Sequence, residues 1–198
     1  MKILILFAHP AFHKSRINRI LIEGLQEKNN VTFHDLYESY PDFNINIKRE
    51  QELLLQHDCV IFHHPFFWYS VPAILKEWQD LVLQHGWAYG SKGIALKDKI
   101  FFSVLTTGGP KQAYVKESFH NHTILELIAP ILQSFRLCKM ISLPPFVVHG
   151  THAMENEQIN SHKKNYFKLL EHIIADELDV NNALEHSYLN DYLELKEK

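Results

Sequence analysis

The chain has 198 residues, of which 46% are hydrophobic and 22% are charged, and its formal net charge is −3. This length and hydrophobic content predict a single domain with one sizeable core. The slightly acidic balance, without a long basic stretch, argues against nucleic acid as the main partner, because binding to a phosphate backbone requires a clustered positive face.

The N-terminal segment predicts the first strand. Residues 2–8 read KILILFA, an apolar run that is typical of a strand buried on both faces of a parallel sheet. The run is too short for the apolar region of a signal peptide or for a membrane span. Cys59 and Cys138 both lie in apolar surroundings, so we expect reduced core thiols in a cytoplasmic protein.

Strands and helices then alternate along the chain. Pro130 is expected to kink or split a helix, and Pro144 and Pro145 to break or bulge a strand. Further strands are predicted at 31–36, 58–63, 99–106 and 139–149, and helices from residue 15 and at 48–57, 72–82, 121–136 and 156–178. These elements define a domain at 1–178. The polar tail at 179–198 could be a docking tail, a partner-binding arm or a frayed end.

The alternation predicts a doubly wound α/β sheet with right-handed crossovers. In such sheets ligands bind beyond the carboxyl ends of the strands, at the point where the strand order reverses. This rule directs attention to three loops, at 9–15, 64–71 and 106–114.

The first loop continues into the following helix and reads HPAFHKSRIN. The unpaired N–H groups at the start of that helix favour an anion, and His9, Ser15 and Asn18 can donate hydrogen bonds to it. Lys14 and Arg16 lie close in sequence. The alternative is that Ser15 only caps the helix and His9 only closes the strand. There is neither a GxGxxG nor a GxxxxGK[ST] motif, so a dinucleotide-type or Walker-type phosphate loop is not predicted.

The second loop carries the aromatic run FFWY between two prolines, and the third reads TTGGPKQAY. Rings at the end of a strand can stack on a planar ligand, although a single ring taken alone more often fills a core or a subunit interface. Gly108 and Gly109 let a ligand approach without a Cβ in the way, and Thr106 and Thr107 add hydroxyls. Together the three loops predict one crevice for a flat aromatic ring with a phosphate tail, which is the shape of flavin mononucleotide (FMN).

Three ordered motifs resemble the flavodoxin-like NAD(P)H:quinone oxidoreductases. They read HPxxxxSxxN, HPxxWYSxPAxLKEWxDxVxxHGWAYG and TTGGxxxxY, and they begin at His9, His64 and Thr106. Together with DLYESYPDFNI at 35–45, they are most similar to the bacterial branch that includes ancillary subunits of glutathione-gated potassium-efflux systems. The resemblance runs from about residue 2 to residue 149. It implies a flavodoxin-like fold, in which a five-stranded parallel sheet of order 2-1-3-4-5 has helices on both faces.

The resemblance also implies a flavin site, usually for FMN in short bacterial members and for FAD in longer animal ones, with NAD(P)H as co-substrate. The residues implied for the ribityl phosphate are His9, Ser15, Arg16, Ile17 and Asn18. Those implied to line the isoalloxazine, largely through backbone atoms, are Phe66, Phe67, Trp68 and Tyr69. Those implied for the other polar edge of the ring are Thr106, Thr107, Gly108 and Gly109.

The implied reaction is a ping-pong transfer of two electrons, as hydride, from NAD(P)H through the flavin to a quinone. By resemblance, the catalytic residues are Tyr114 and His120. Tyr114, backed by His120, would donate a hydrogen bond at the flavin and protonate the hydroquinone. The alternative for His120 is a surface histidine, one of 14 in the chain. Pro110 and Lys111 depart from the small or acidic residues common in relatives, which affects substrate preference more than flavin binding.

Two other functions are compatible with a flavin-binding domain. A regulatory ancillary subunit would dock on and activate a glutathione-gated potassium-efflux transporter, and would lie at the inner membrane through that partner. A one-electron flavodoxin is disfavoured, because such carriers are usually smaller and strongly acidic.

The resemblance further implies a homodimer, with Trp78, Trp87 and Tyr89 as interface rings that look exposed in the sequence. No metal site is expected. HExxH and CxxC motifs are absent from the sequence, and the adjacent His63 and His64 would point to opposite faces of a strand.

Overall fold

The computed structural model describes residues 1–195 and shows a parallel six-stranded sheet between two layers of helices. The strands are β1 (Ile3–Phe7), β2 (Val31–Asp35), β3 (Cys59–Pro65), β4 (Ile100–Thr106), β5 (Ile141–Ser142) and β6 (Phe146–Val148). Strands β1, β3 and β4 are buried along their whole length. Their continuous apolar sequences are what the centre of a covered parallel sheet requires.

The helices cover the sheet, and several of them begin at capping residues that the sequence supplies. They are α1 (Arg16–Ile22), α2 (Leu36–Ser39), α3 (Ile47–Gln56), α4 (Ala73–Val82), α5 (Ile124–Leu127), α6 (Ala129–Leu137), α7 (Asn156–Ile174), α8 (Val180–Leu184) and α9 (Leu189–Leu195). The side chains of Ser15 and Asn46 accept backbone N–H groups at the starts of α1 and α3. The predicted split at Pro130 is confirmed, because this proline lies in the first turn of α6, just after α5 ends.

The predicted strand order is confirmed, since the sheet runs β2-β1-β3-β4-β5 with parallel pairing throughout. The predicted fifth strand is instead two strands that both pair with β4. Strand β5 pairs with Ile100 and Phe101, and β6 pairs with residues 104–106. Pro144 and Pro145 lie between the two strands and have no N–H group to donate to the ladder.

Two hydrophobic cores lie on opposite faces of the sheet, because alternate strand residues point to opposite sides. One core contains a cluster of rings in which Phe62 contacts Phe101 and Phe135, with ring centroids 5.2 and 5.1 Å apart. The other contains Phe102 and Tyr166, both fully buried. Cys59 and Cys138 are buried free thiols, one in each core.

A buried carboxylate on α3 is bonded to β2, to the residue after α2 and to α4. Glu50 on α3 is fully buried and accepts hydrogen bonds from His34 Nε2 at 2.9 Å, Tyr40 Oη at 2.5 Å and Trp78 Nε1 at 2.8 Å. Burial alone would raise the pKa of Glu50, but the interactions with His34, Tyr40 and Trp78 lower the pKa below its usual value. Glu50 therefore ties the segment after β2 to α4.

Trp78 corrects one expectation from the sequence. The prediction that its ring is exposed at a subunit interface is wrong, because the side chain is fully buried and donates to Glu50. Trp87 and Tyr89 are half-buried and pack against the same core. Their place at an interface stays a prediction.

The segment after α7 packs back onto the sheet. Leu189, Tyr192 and Leu193 of α9 are buried, and the helix contacts β6 and α7. The side-chain amide of Asn190 pairs with the main chain of Val147: Oδ1 accepts the Val147 N–H at 2.8 Å, and Nδ2 donates to the Val147 carbonyl at 3.1 Å. Residues 179–195 of the predicted tail are therefore ordered against the core, residues 196–198 lie outside the described part of the chain, and a domain boundary at residue 178 stays a prediction.

Over residues 1–195, none of the helices combines the length and the apolar character that a membrane crossing requires.

We predict that Glu50→Gln lowers the free energy of unfolding by about 3 kcal/mol, because an amide cannot accept from three buried donors. Urea denaturation at neutral pH measures the loss. The control is Glu52→Gln on the exposed face of the same helix, which should change stability by less than about 0.5 kcal/mol. Because the folded-state pKa of Glu50 is lowered, its contribution is present at neutral pH and is lost as the pH falls through that pKa. Equal stabilities of the two variants at pH 7 would contradict the network.

Candidate functional site

The carboxyl ends of the central strands open into a cleft of about 680 Å³. This volume is within the range of roughly 300–1,000 Å³ that is usual for small-molecule and cofactor sites. The cleft is lined by His9, Ala11, Lys14, Ser15, Arg16, Ile17, Asn18, Pro65, Phe66, Phe67, Trp68, Thr106, Gly108, Thr151 and His152. The structure therefore brings parts of all three predicted loops together, and adds a fourth loop that follows β6.

In the first loop, Ser15 both caps a helix and lines the cleft. Its Oγ accepts the Asn18 backbone N–H at 3.3 Å and the Asn18 Nδ2 at 3.0 Å. The same Nδ2 donates to Thr106 Oγ1 at 3.1 Å. Capping and ligand binding are thus not exclusive, because a hydroxyl that accepts these bonds still has its own hydrogen to donate.

His9 closes β1 and also faces the cleft. Burial lowers the pKa of His9, which favours the neutral imidazole. The Nδ1 atom accepts the Ala11 N–H at 3.2 Å, so the proton of the neutral ring lies on Nε2. His9 therefore has a single N–H that remains to be donated.

Basic side chains border this end of the cleft. Arg16 donates to the Met154 carbonyl and, at 2.9 Å, to Asn156 Oδ1, so its guanidinium ties the first loop to the segment before α7. Lys14 lies beside it on the cleft wall. Among the described residues that line the cleft, none is acidic, so the wall favours a ligand with negative charge.

The aromatic loop is a tight turn with its rings largely outside the core. The Ser70 N–H donates to the Phe67 carbonyl at 3.1 Å, and the two central residues, Trp68 and Tyr69, have φ values of 50° and 62°. Two positive φ values are the pattern of a type I′ turn, which usually takes Gly, Asn or Asp, so bulky residues here indicate strain. Phe66 is buried, but Trp68 is 92% exposed. Burial in a core thus accounts for Phe66 and not for Trp68.

Tyr114 and His120 lie behind the glycine pair and do not line the cleft as the structure stands. Their rings are stacked with centroids 4.2 Å apart, and His120 Nδ1 is 3.2 Å from Tyr69 Oη. A Cβ on Gly109 would lie 3.1 Å from His120 Nε2, so the glycine leaves the space that this pair occupies. Burial raises the pKa of Tyr114, although a hydrogen bond with Thr107 opposes the change. At neutral pH the phenol therefore keeps its proton.

Thr107 and Gly109 shape the third loop instead of lining the cleft. Thr107 Oγ1 donates to the Gly109 carbonyl at 2.9 Å and lies 3.3 Å from His149 Nδ1. The Thr107 N–H donates to the Val148 carbonyl at 2.9 Å, which extends the sheet pairing by one step. The residues predicted for the site that do not line the cleft are Tyr69, Thr107, Gly109, Tyr114 and His120.

Thr151 and His152, in the fourth loop, were missed by the sequence reasoning. Thr151 Oγ1 donates to the Thr107 carbonyl at 3.0 Å, and His152 lies over Gly108, where a Cβ would come within 2.3 Å of its Nε2. The rule that ligands bind beyond the carboxyl ends of strands applies to β6 as well. Applied to the last strand, it would have included both residues.

The cleft thus combines hydrogen-bond donors and basic residues with aromatic rings in one lining. Ser15, Thr106 and His9 can each donate a hydrogen to an acceptor-rich group. Phe66, Phe67 and Trp68 add apolar rings to the lining. This arrangement can hold an anionic group joined to a planar ring.

Comparison with known proteins identifies a family that matches this chain. A family described as the flavodoxin-like fold, Flavodoxin_2, matches residues 1–170. The glutathione-regulated potassium-efflux system ancillary protein KefG of Enterobacter sp. (strain 638) is 42% identical over 165 residues, which are 83% of this chain and 90% of that protein.

Two solved structures are also similar. General stress protein 14 of Treponema denticola, in complex with FMN, is 30% identical with a TM-score of 0.82, over 86% of this chain and 98% of that one. The NADPH-quinone reductase of P. pentosaceus is 32% identical with a TM-score of 0.76, over 84% and 95% of the two chains.

The resemblance predicted from the three motifs is confirmed by these matches. The family match extends from the first residue of the chain into α7, and so covers the sheet and all four loops around the cleft. The chain belongs to the Flavodoxin_2 family of proteins with the flavodoxin-like fold.

Proposed function

We propose that the protein is an FMN-dependent NAD(P)H:quinone oxidoreductase. The observation that carries this proposal is the cleft itself, whose lining combines hydroxyl donors and basic residues with aromatic rings. The FMN complex of the Treponema denticola protein and the NADPH-quinone reductase of P. pentosaceus support the same assignment.

The residues present fit a flavin with a phosphate tail. His9, Ser15 and Asn18, with the backbone N–H groups of Arg16 and Ile17, would hold the phosphate end. The backbone of the aromatic loop, including Tyr69, would hold the ring, together with Thr106 and Gly108 and with Thr107 and Gly109 shaping the turn. Phe66, buried and bonded through its N–H to the Thr106 carbonyl at 2.9 Å, fixes the base of this loop.

A bound flavin supplies the ability to accept a hydride from one molecule and pass two electrons to another. The residues of the chain would position the nicotinamide or quinone and supply protons to the reduced acceptor. Phe67, 47% exposed, and Trp68 present apolar faces against which a flat nicotinamide or quinone can stack. Tyr114 keeps its proton at neutral pH and, with His120 stacked against it, can deliver that proton to a reduced acceptor. Lys111 and Pro110 lie in the same loop as Tyr114, and we propose that they influence which electron acceptor is used.

A homodimer remains part of this proposal. The rings of Trp68 and Phe119 are 92% and 88% accessible, and we propose that they contribute to the subunit interface. FAD is the alternative cofactor, and it would require room for an adenosine beyond the phosphate end.

We predict that the purified protein binds FMN and that NADPH bleaches the flavin absorbance under anaerobic conditions. Ser15→Ala should weaken FMN binding about tenfold, because it removes a donor to a charged group, and such bonds contribute roughly 1.5–3 kcal/mol. Ser161→Ala, an exposed position on α7, is the control and should leave the affinity unchanged. Fluorescence titration measures both. Preference for FAD would revise the cofactor, and failure to bind either flavin would overturn the proposal.

We predict that Tyr114→Phe lowers kcat for quinone reduction by about 100-fold, since a positioned acid typically contributes 10²–10⁴. FMN affinity should stay within about threefold, because Tyr114 lies behind the cleft lining. Tyr166→Phe also removes one buried hydroxyl, in the opposite core, and should leave kcat unchanged. Stopped-flow measurement separates reduction by NADPH from oxidation by the quinone. A normal rate of quinone reduction in Tyr114→Phe would remove this residue from the mechanism.

We also propose a second candidate function, an ancillary subunit of a potassium-efflux system that is peripheral to the inner membrane through its partner. The observation in its favour is the 42% identity to the Enterobacter protein of that description. The two functions are compatible, since one surface can bind a transporter while the cleft carries out redox chemistry.

Potassium flux through a co-expressed efflux transporter tests the second function. We expect the wild-type protein to raise the flux, and Tyr114→Phe to raise it equally if docking alone is responsible. No rise with the wild-type protein would exclude the ancillary function for that transporter. A rise that Tyr114→Phe abolishes would show that activation needs turnover.

A further inference from the structure

His63 is a fully buried histidine that the proposed mechanism does not use. It lies on β3, two residues before the strand ends, and its ring packs between Phe7 and Tyr166 in the core. Its Nε2 is 3.2 Å from Oδ1 of Asn18, which is itself only 2% exposed. A side chain in the core is thereby connected to a residue of the cleft wall.

Asn18 connects His63 to the first loop and to the end of β4. Its Nδ2 carries two hydrogens, one donated to Ser15 Oγ at 3.0 Å and the other to Thr106 Oγ1 at 3.1 Å. Ser15 belongs to the first loop and Thr106 to the end of β4, and both line the cleft. The orientation of one amide group therefore decides how both hydroxyls are used.

The direction of these hydrogen bonds follows from the protonation of His63. Burial lowers the pKa of His63 to about 3, so its ring is neutral and carries one N–H. Its Nδ1 has no hydrogen-bond partner among the described residues. A proton on Nδ1 would leave a buried N–H without an acceptor, which is rarer in proteins than an under-satisfied acceptor. The proton therefore lies on Nε2 and is donated to Asn18 Oδ1.

With its oxygen facing His63, Asn18 must turn its amide hydrogens toward Ser15 and Thr106. Both hydroxyl oxygens then act as acceptors on the protein side, and their own hydrogens are left for the cleft. The opposite amide orientation would turn both hydroxyls toward Asn18 and leave only lone pairs for a ligand. An acceptor-rich ligand such as a flavin phosphate would then meet lone pairs instead of donors.

We infer that His63 is a positioning residue of the flavin site, which acts through Asn18 to present the Ser15 and Thr106 hydroxyls as hydrogen-bond donors. This inference rests on the proposed flavin-binding function. His63 itself is expected to touch neither the cofactor nor the substrate.

The next residue offers a matched control. His64 is also fully buried, but it belongs to the opposite face of the strand, where its Nδ1 lies 3.0 Å from the Pro65 carbonyl. Its side chain makes no hydrogen bond with Asn18, Ser15 or Thr106 in the described structure. Replacing either histidine should disturb a core to a similar extent. Only the replacement of His63 should change how the Ser15 and Thr106 hydroxyls are presented as donors.

The test compares FMN affinity in three variants by fluorescence titration. His63→Leu should weaken binding about tenfold or more, because two hydrogen bonds to the ligand lose their orientation and each is worth a factor of roughly 2–12. His63→Gln should recover affinity to within about threefold, since its amide nitrogen can donate from the position of Nε2. His64→Leu should bind FMN like the wild type, even where its melting temperature falls as far as that of His63→Leu.

One further readout keeps the inference open to refutation if His63→Leu fails to fold, and a second applies if that variant folds. Long-range ¹⁵N–¹H correlation in the flavin-free protein should show the His63 proton on Nε2, and the Nδ1–H tautomer would overturn the inference without reference to any flavin. Adding Ser15→Ala to the His63→Leu background should cost far less affinity than in the wild type, as expected for groups that act in one network.

The outcomes separate this inference from the proposed function. A wild-type chain that binds neither FMN nor FAD would overturn both. Wild-type binding together with equal affinities for His63→Leu, His63→Gln and His64→Leu would overturn the positioning role alone. Additive effects of Ser15→Ala and His63→Leu would do the same.

Discussion

The parallel hydrogen-bond ladder between β3 and β4 is the constraint on which the cleft depends. Its register pairs Cys59 with Ile100 and Pro65 with Thr106, so the two strands end at the same level. The Phe66 N–H then continues the pairing to the Thr106 carbonyl. Since both strands are buried throughout, a slip of one residue would turn apolar side chains to the wrong core and separate the two loops.

Around this ladder, polar groups lock the surrounding loops from opposite faces of the sheet. On one face Glu50 holds α4, and with it the C-terminal end of the aromatic turn. On the other, Asn18 joins the first loop to β4 and Arg16 reaches the segment before α7. Backbone strain of the kind seen at Trp68 costs on the order of 1–3 kcal/mol per residue and persists only where the surroundings hold it. These hydrogen bonds thus hold the loop in a conformation that leaves the Trp68 ring exposed.

The sequence was sufficient for the strands, their order and the edge of the sheet where the cleft lies. Continuous apolar runs predicted β1, β3 and β4, and the loops after them carried the unusual residues. Contacts between segments that are distant in the chain could not be predicted from the sequence. The stripe that includes Trp78 predicted a helix, but its burial depends on Glu50, 28 residues earlier in the chain. Likewise, nothing local distinguishes Thr106, which lines the cleft, from Thr107, whose hydroxyl turns back to Gly109.

The pairing of Asn190 with Val147 has a consequence for how this protein associates with others. In a three-residue strand paired on one side with β4, the outward N–H and C=O of β6 are those of the central residue, Val147. Both are taken by one side-chain amide. An incoming strand from another chain finds no free pair of groups there, so strand addition, a common route to aggregation, is blocked at this edge. At this edge, contacts with another chain are left to helices and loops, where shape and side-chain chemistry can select the partner.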